Sequence, residues 1–305
     1  IARRSPISLL RLAGMAAAGA AALGVIFGAL DAVTLLLIAA SGGAGACLRR
    51  WLSHLTRNAF VQPFCAALLA GVVGAIATRL HLSPLPYLVA ECPCMILVPG
   101  AHLLNGALDL ARARVTLGIA RVAFAGLVVL AISAGLLLGL ALGGTSLPVA
   151  GSPPPAPLLY DAVAAGVAVA AYGTFFSMSW RMLYVPVVIG MVAHAARWAV
   201  VVLLGADIAV GALVACLMVG IVVAMISDSM RLPFAGLAFA SVVSLIPGVF
   251  LFRMAGGLVQ LVGLGEHTPL ALLTATIADG GTAFVTLMAM AFGLLVPRMI
   301  VERLR

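Results

Sequence analysis

The sequence predicts an all-α polytopic membrane protein. Ten transmembrane helices are expected to form two five-helix repeats of inverted topology, with broken helices at the fourth and ninth spans. Three observations carry this reading: the composition, the placement of the arginines, and internal matches at nearly constant spacing. Hydrophobic residues make up 64% of the chain and charged residues 9%, with a mean hydropathy of +1.25, against roughly 45–50% apolar and 25% charged in soluble domains. Such a chain has the lipid bilayer as its first partner. There is no lysine, so all 17 basic residues are arginine, and the net charge of +8 reads as a topology signal, with no nucleic-acid partner implied.

A hydrocarbon core of ~30 Å needs about 20 mainly apolar residues per helix. Ten stretches meet this need: 11–30, 33–52, 61–79, 85–104, 119–142, 158–178, 183–204, 207–227, 233–253 and 270–296. Between the fifth and sixth lies GGTSLPVAGSPPPAPL, residues 143–158, uncharged and rich in proline and glycine. It reads as an extracytoplasmic linker between a first five-helix unit, 1–142, and a second, 159–305. If the N-terminus is cytoplasmic, the inside ends and loops hold every arginine except Arg79, Arg197 and Arg253. That asymmetry supports an even number of spans with both termini inside. The opening IARRSPISLLRLAGM places positive charge ahead of an apolar stretch. Because apolar spans continue to the end, it reads as the remainder of a longer chain rather than as a signal peptide.

The two halves match one another. LVPG at 97–100 recurs as LIPG at 245–248, Pro84 pairs with Pro233, Gly71 with Gly220, and the Arg-Trp pair at 50–51 with that at 197–198. An odd number of crossings reverses the membrane side, so a repeated five-span unit inserts the second time upside down. Inverted repeats of this kind carry binding sites near the midplane where the repeats meet.

The stretch YLVAECPCMILVPG, residues 87–100, sets two prolines and a glutamate inside an apolar span. Pro93 and Pro99 each remove a backbone donor, so the fourth span is expected to break between Pro93 and Gly100, and the ninth at Pro247–Gly248. Irregular backbone at membrane depth is tolerated only where protein or a watery cavity covers it. Helix ends there expose N–H and C=O groups suited to the carboxylate and ammonium of a zwitterion. Pro99, Gly100, Pro247 and Gly248 are therefore candidate substrate-binding positions, with Asn105 just beyond the first break, Ser244 before the second, and Thr276 in the tenth span.

Glu91 and Asp279 lie about half a span from the nearest loop. A carboxylate in hydrocarbon costs roughly 2.5–3.5 kcal/mol on insertion scales, so such acids face a cavity or a partner. They are the candidate proton-coupling groups. Asp31, Asp161, Asp207, Asp228, Glu266 and Glu302 sit at span ends, where a solvated structural role is expected. His194 and Arg197 lie three apart on one helix face, where Arg197 suits a substrate carboxylate or an acid. Cys47, Cys65, Cys92, Cys94 and Cys216 lack CxxC spacing and read as small buried hydrophobes.

At LVPGAHLLNGALDLARARVTLGIARV, residues 97–122, the chain resembles the bacterial threonine/serine exporter family, in which a Pro-Gly break is followed by an Asn-Gly turn and then Asp-Leu. PVVIGMVAHAARW and FASVVSLIPGVFLF resemble the smaller subunit of the split, two-gene members of that family. The resemblance covers nearly the whole chain. It implies a multi-pass protein of the bacterial cytoplasmic (inner) membrane that exports threonine and serine driven by the proton-motive force, an antiporter with amino acids and protons as its small partners. Family members commonly carry a cytoplasmic N-terminal domain before the first span, which is expected to precede this sequence.

A secondary exporter working by alternating access is thus the leading reading, and a passive channel for small polar solutes or cations is the alternative. No HExxH, Gly-x-Ser-x-Gly or P-loop pattern is present, so an enzyme or an ATP-driven pump is not expected, nor any cofactor or metal. Assembly as a homo-oligomer is left open.

Overall fold

A computed structural model describes residues 7–147, 154–229 and 234–303. Pro233, Arg3, Arg4, Arg231, Arg305 and the middle of the linker lie outside these, as do the side chains of Asp228 and Glu302. Among the described residues all regular structure is helical. The helices are α1 (Leu9–Ile26), α2 (Ala32–Leu55), α3 (Val61–Arg79), α4 (Pro86–Met95), α5 (Gly100–Ala111) and α6 (Val115–Leu142) in the first half. The second half has α7 (Leu158–Phe175), α8 (Trp180–Trp198), α9 (Ile208–Ser229), α10 (Phe234–Val242), α11 (Gly248–Leu264) and α12 (Leu270–Arg303). Nine of the described helices are long and apolar enough to cross a membrane, or ten if the bent pair α4 and α5 counts as one.

Local chemistry sets several of these boundaries. The Asp31 side chain accepts from the Thr34 N–H at 2.8 Å and starts α2, and the Ser8 hydroxyl accepts from the Arg11 N–H at 3.3 Å at the start of α1, the usual way of satisfying first-turn donors. Pro86 opens α4 at a position whose N–H would have no intrahelical partner.

The first interruption lies within the expected Pro93–Gly100 stretch but later than Pro93, and the second lies just ahead of Gly248. Pro93 sits inside α4, which runs on to Met95. The helix ends only when Pro99 withdraws the N–H that the Met95 carbonyl would have used. The expected ninth span, 233–253, is instead a short α10 extended by a 3₁₀ turn, Val243–Leu245, and followed after Pro247 by α11. Gly248–His267 is long and apolar enough to span by itself. Helix α12 is 34 residues long, well beyond the expected 270–296.

Close helix packing follows the glycines. Helices α3 and α6 pack along Gly71, Gly135 and Gly139, and a Cβ at Gly71 would collide with the Leu136 carbonyl. Helices α9 and α12 pack in the same way, with a Cβ at Gly220 falling 2.8 Å from the Gly293 carbonyl oxygen. Within the first half α1 packs on α2, α2 on α3, α3 on α4 and α6, and α5 on α6. Within the second, α7 packs on α8, α8 on α9, α9 on α10 and α12, and α11 on α12. The halves join through α1 with α7, α5 with α12, α6 with α11, and α4 with α11.

Candidate functional site

Two interruptions of the chain meet inside the molecule. Helices α4 and α5 are bent by 62° across Ile96–Pro99, and the second interruption lies at Ile246–Pro247, ahead of α11. The backbone turns alike at both: Pro99 has φ −78 and ψ 60, and Pro247 has φ −79 and ψ 53. Each proline is the centre of an inverse γ-turn, closed by Gly100 N–H donating to the Val98 carbonyl at 2.8 Å and by Gly248 N–H donating to the Ile246 carbonyl at 2.8 Å. The glycines also contact across the interface. A Cβ at Gly100 would strike the Ile246 side chain, and one at Gly248 would lie 3.4 Å from Val98 and 3.5 Å from Met95.

A small void of about 10 Å³ sits between the breaks, lined by Leu23, Met95, Val98, Tyr172, Ser244 and Gly248 among others. It has room for about one water. Tyr172 of α7 donates its hydroxyl to the Met95 carbonyl at 2.9 Å, which supplies the partner that Pro99 removed. The Ser244 hydroxyl is buried without a hydrogen-bond partner among the described residues.

One turn before the first break, the Glu91 side chain is 0% exposed, and its Oε1 lies 3.6 Å from Nε of Arg253 on α11. The Arg253 guanidinium also stands 5.8 Å from the centre of the Tyr87 ring. It lines a second small void with Asp279, Thr276, Gly257, Gln260 and Leu147. The Gln260 amide donates to the Leu147 carbonyl at 3.3 Å, while the Thr276 hydroxyl donates to the Leu272 carbonyl of its own helix at 2.7 Å. Glu91 and Asp279, on separate helices, are thus gathered around one arginine that sequence reasoning did not select. Its signal was present, since Arg253 is one of three arginines outside the inside-loop set.

The far side of the breaks is open. A cavity of about 800 Å³ is lined by Arg11, Asn105, Phe176, the 177–179 turn, Met182 and one face of α10. Asn105 and Ala235 also line an adjoining cavity of about 200 Å³, with Asp109, Arg112, Arg114 and Arg121. Asp109 is ion-paired with Arg121 and lies 3.9 Å from Arg114. These openings adjoin the start of α6, whereas Leu147 lies past its end, a 28-residue helix away, or about 40 Å at 1.5 Å per residue.

His194 and Arg197 are not brought to the breaks and line none of these cavities. His194 Nδ1 lies 3.1 Å from Asp161 Oδ2, with both side chains buried. This corrects the expectation for Asp161, which is 2% exposed. One turn of α7 carries it beneath α8. Asp207 and Glu266 are exposed, as expected of span ends. Cys92, Cys94 and Cys216 are buried, but Cys47 is exposed. Among the described residues no cluster of His, Cys, Asp and Glu could hold a metal ion.

Comparison with known proteins gives the family. Residues 1–143 match the ThrE family model of threonine/serine exporters, and residues 161–300 match a second ThrE threonine/serine exporter model. No curated protein and no solved structure matches the chain. With both halves matched, the chain belongs to the threonine/serine exporter family, whose members are membrane transporters.

Proposed function

We propose that the chain is a secondary active exporter of small neutral amino acids, threonine and serine, driven by the proton-motive force through alternating access. Its units are 1–142 and 159–305, related by a pseudo-two-fold axis in the membrane plane. The observation that carries this reading is the reciprocal contact of the breaks: Gly100 against Ile246, and Gly248 against Val98. In the LVPG and LIPG alignment these are the same two positions exchanged, as a two-fold axis requires. The recurrence of the helix pairs in the two halves supports it further. So does the use of Gly71 and Gly220, matched in sequence, at the corresponding crossings.

The substrate site is the junction of the breaks. Helices α5 and α11 begin at Gly100 and Gly248, and their first N–H groups suit a carboxylate. Position five past each glycine is polar in both halves. Asn105 lines the open cavity, whereas Arg253 closes the opposite end with Glu91. The arginine-rich end is the cytoplasmic one in the bacterial inner membrane, so this conformation is open inward and sealed outward. A substrate carboxylate reaching Arg253 competes with Glu91 for it. A proton taken up by Glu91 from outside, with Asp279 beside it, lets the seal part and the amino acid leave. Proton release inward restores the ion pair.

The test is uphill threonine flux in vesicles carrying the purified chain and a pH gradient. Accumulation abolished by an uncoupler is expected. Flux that only runs downhill and ignores the uncoupler would identify the passive channel instead.

A further inference from the structure

We propose that Arg11 forms, with Asn105, a carboxylate-binding site in the open cavity that receives the substrate before it reaches the breaks. The inference rests on the transport reading above and adds a residue that reading does not use.

The Arg11 guanidinium is held in place with at least one donor unused among the described residues. Its guanidinium lies 4.3 Å over the Trp180 ring, which fixes the side chain from behind without using its N–H donors. Its Nε is buried and has no hydrogen-bond partner among the described residues. None of the residues lining the cavity is acidic, so nothing described in the lining neutralises it. Asn105 lines the same space from α5 and is shared with the neighbouring cavity of Arg112, Arg114 and Arg121, where Asp109 is the only acid among the described lining residues. The local charge is therefore positive across both openings, and positive potential focused in a cleft concentrates anionic groups there. Guanidinium binds a carboxylate through two parallel N–H donors, and the Asn105 amide offers both a donor and an acceptor to an ammonium, hydroxyl or second oxygen. Phe176, Phe239, Met178 and Met182 supply apolar wall. A volume of about 800 Å³ far exceeds what one threonine fills, so this is a receiving chamber and not a fitted pocket. The ligand class is a small α-amino acid recognised first by its carboxylate.

Competition binding to the purified chain tests this, with labelled L-threonine as the probe and L-threonine amide as the competitor that keeps the side chain and ammonium but lacks the carboxylate. The amide is expected to compete at least tenfold more weakly than L-threonine. Arg11→Gln is expected to weaken L-threonine binding about tenfold, the scale of one charge-assisted contact, without changing the affinity for the amide, and Arg11→Lys to recover part of the loss. Equal competition by acid and amide on the unmodified chain, which needs no variant to fold, overturns the proposal. So does Arg11→Gln binding L-threonine normally while uphill export continues, an outcome that leaves the transport reading standing. Failure of the unmodified chain to bind or export any amino acid overturns both.

Discussion

Pro99 and Pro247 adopt one backbone conformation on the two sides of a single contact, φ −78 and ψ 60 against φ −79 and ψ 53. The glycine after each faces the other half, but the two are not equally confined. A Cβ at Gly100 would strike Ile246, whereas one at Gly248 would make ordinary contacts at 3.4 and 3.5 Å. The atom struck is the terminal methyl of Ile246, which can turn aside, so Gly100→Ala is expected to cost about 1 kcal/mol, the low end of overpacking, and Gly248→Ala close to nothing. Ile246→Ala should recover much of the Gly100→Ala loss. Thermal unfolding of the four proteins in detergent measures this, and equal penalties at the two glycines would refute the contact geometry.

Glu91 and Arg253 form a buried charge pair at 3.6 Å. Removing one member of such a pair leaves a charge without compensation, at a cost of about 3–5 kcal/mol, while removing both is far milder. Arg253→Gln is expected to destabilise strongly, and Glu91→Gln with Arg253→Gln to lie closer to the unmodified chain than the arginine change alone. A double-mutant cycle on thermal stability reads the coupling. Additive losses would mean that the two groups do not depend on one another.

Much of this was legible in the sequence because it rests on short-range rules. Proline and glycine at 99–100 and 247–248 marked both interruptions, and an acid amid apolar residues marked Glu91. What escaped depended on which helix faces which. Pro93 looked as disruptive as Pro99, yet α4 absorbs it, since one lost donor in a helix braced on α3 need not end it. Asp161 looked like a solvated end but is covered by α8, where it meets His194. Tyr172, 77 residues from Met95 in sequence, is found only when the missing donor of Pro99 is followed in space. Arg253 was visible as an exception to the charge rule but not as a partner of Glu91.

His194 and Asp161 hold one another at 3.1 Å between α7 and α8, away from the cavities. That placement predicts a structural part. His194→Gln and Asp161→Asn should each lower thermal stability, by about 1–3 kcal/mol for a buried group left without its partner. Both should leave the KM for threonine and the dependence of export on the pH gradient unchanged in the protein that remains folded. A selective rise in KM in vesicles would return His194 to the substrate site.

The last prediction concerns the coupling acids. A proton-driven exporter needs a carboxyl that loads a proton on one side of the membrane and unloads it on the other. Glu91 and Asp279 are placed for this by their common neighbour Arg253, which both adjoin from different helices. Glu91 is sealed from solvent, while Asp279 is partly open and lines the void closed by Gln260 and Leu147. In the proposed cycle Asp279 meets a proton from outside first and Glu91 receives it when the seal parts. Asp279→Asn should then slow proton-driven export several-fold, and Glu91→Gln should abolish it. Both changes should spare exchange of labelled for unlabelled threonine in the absence of a gradient, since exchange needs substrate sites but no proton transfer. Reconstituted vesicles with and without a pH gradient separate the two activities. If both variants pump at the unmodified rate, the acids only hold Arg253 in place. If both lose exchange together with pumping, they hold the seal or the substrate, and the proton passes elsewhere.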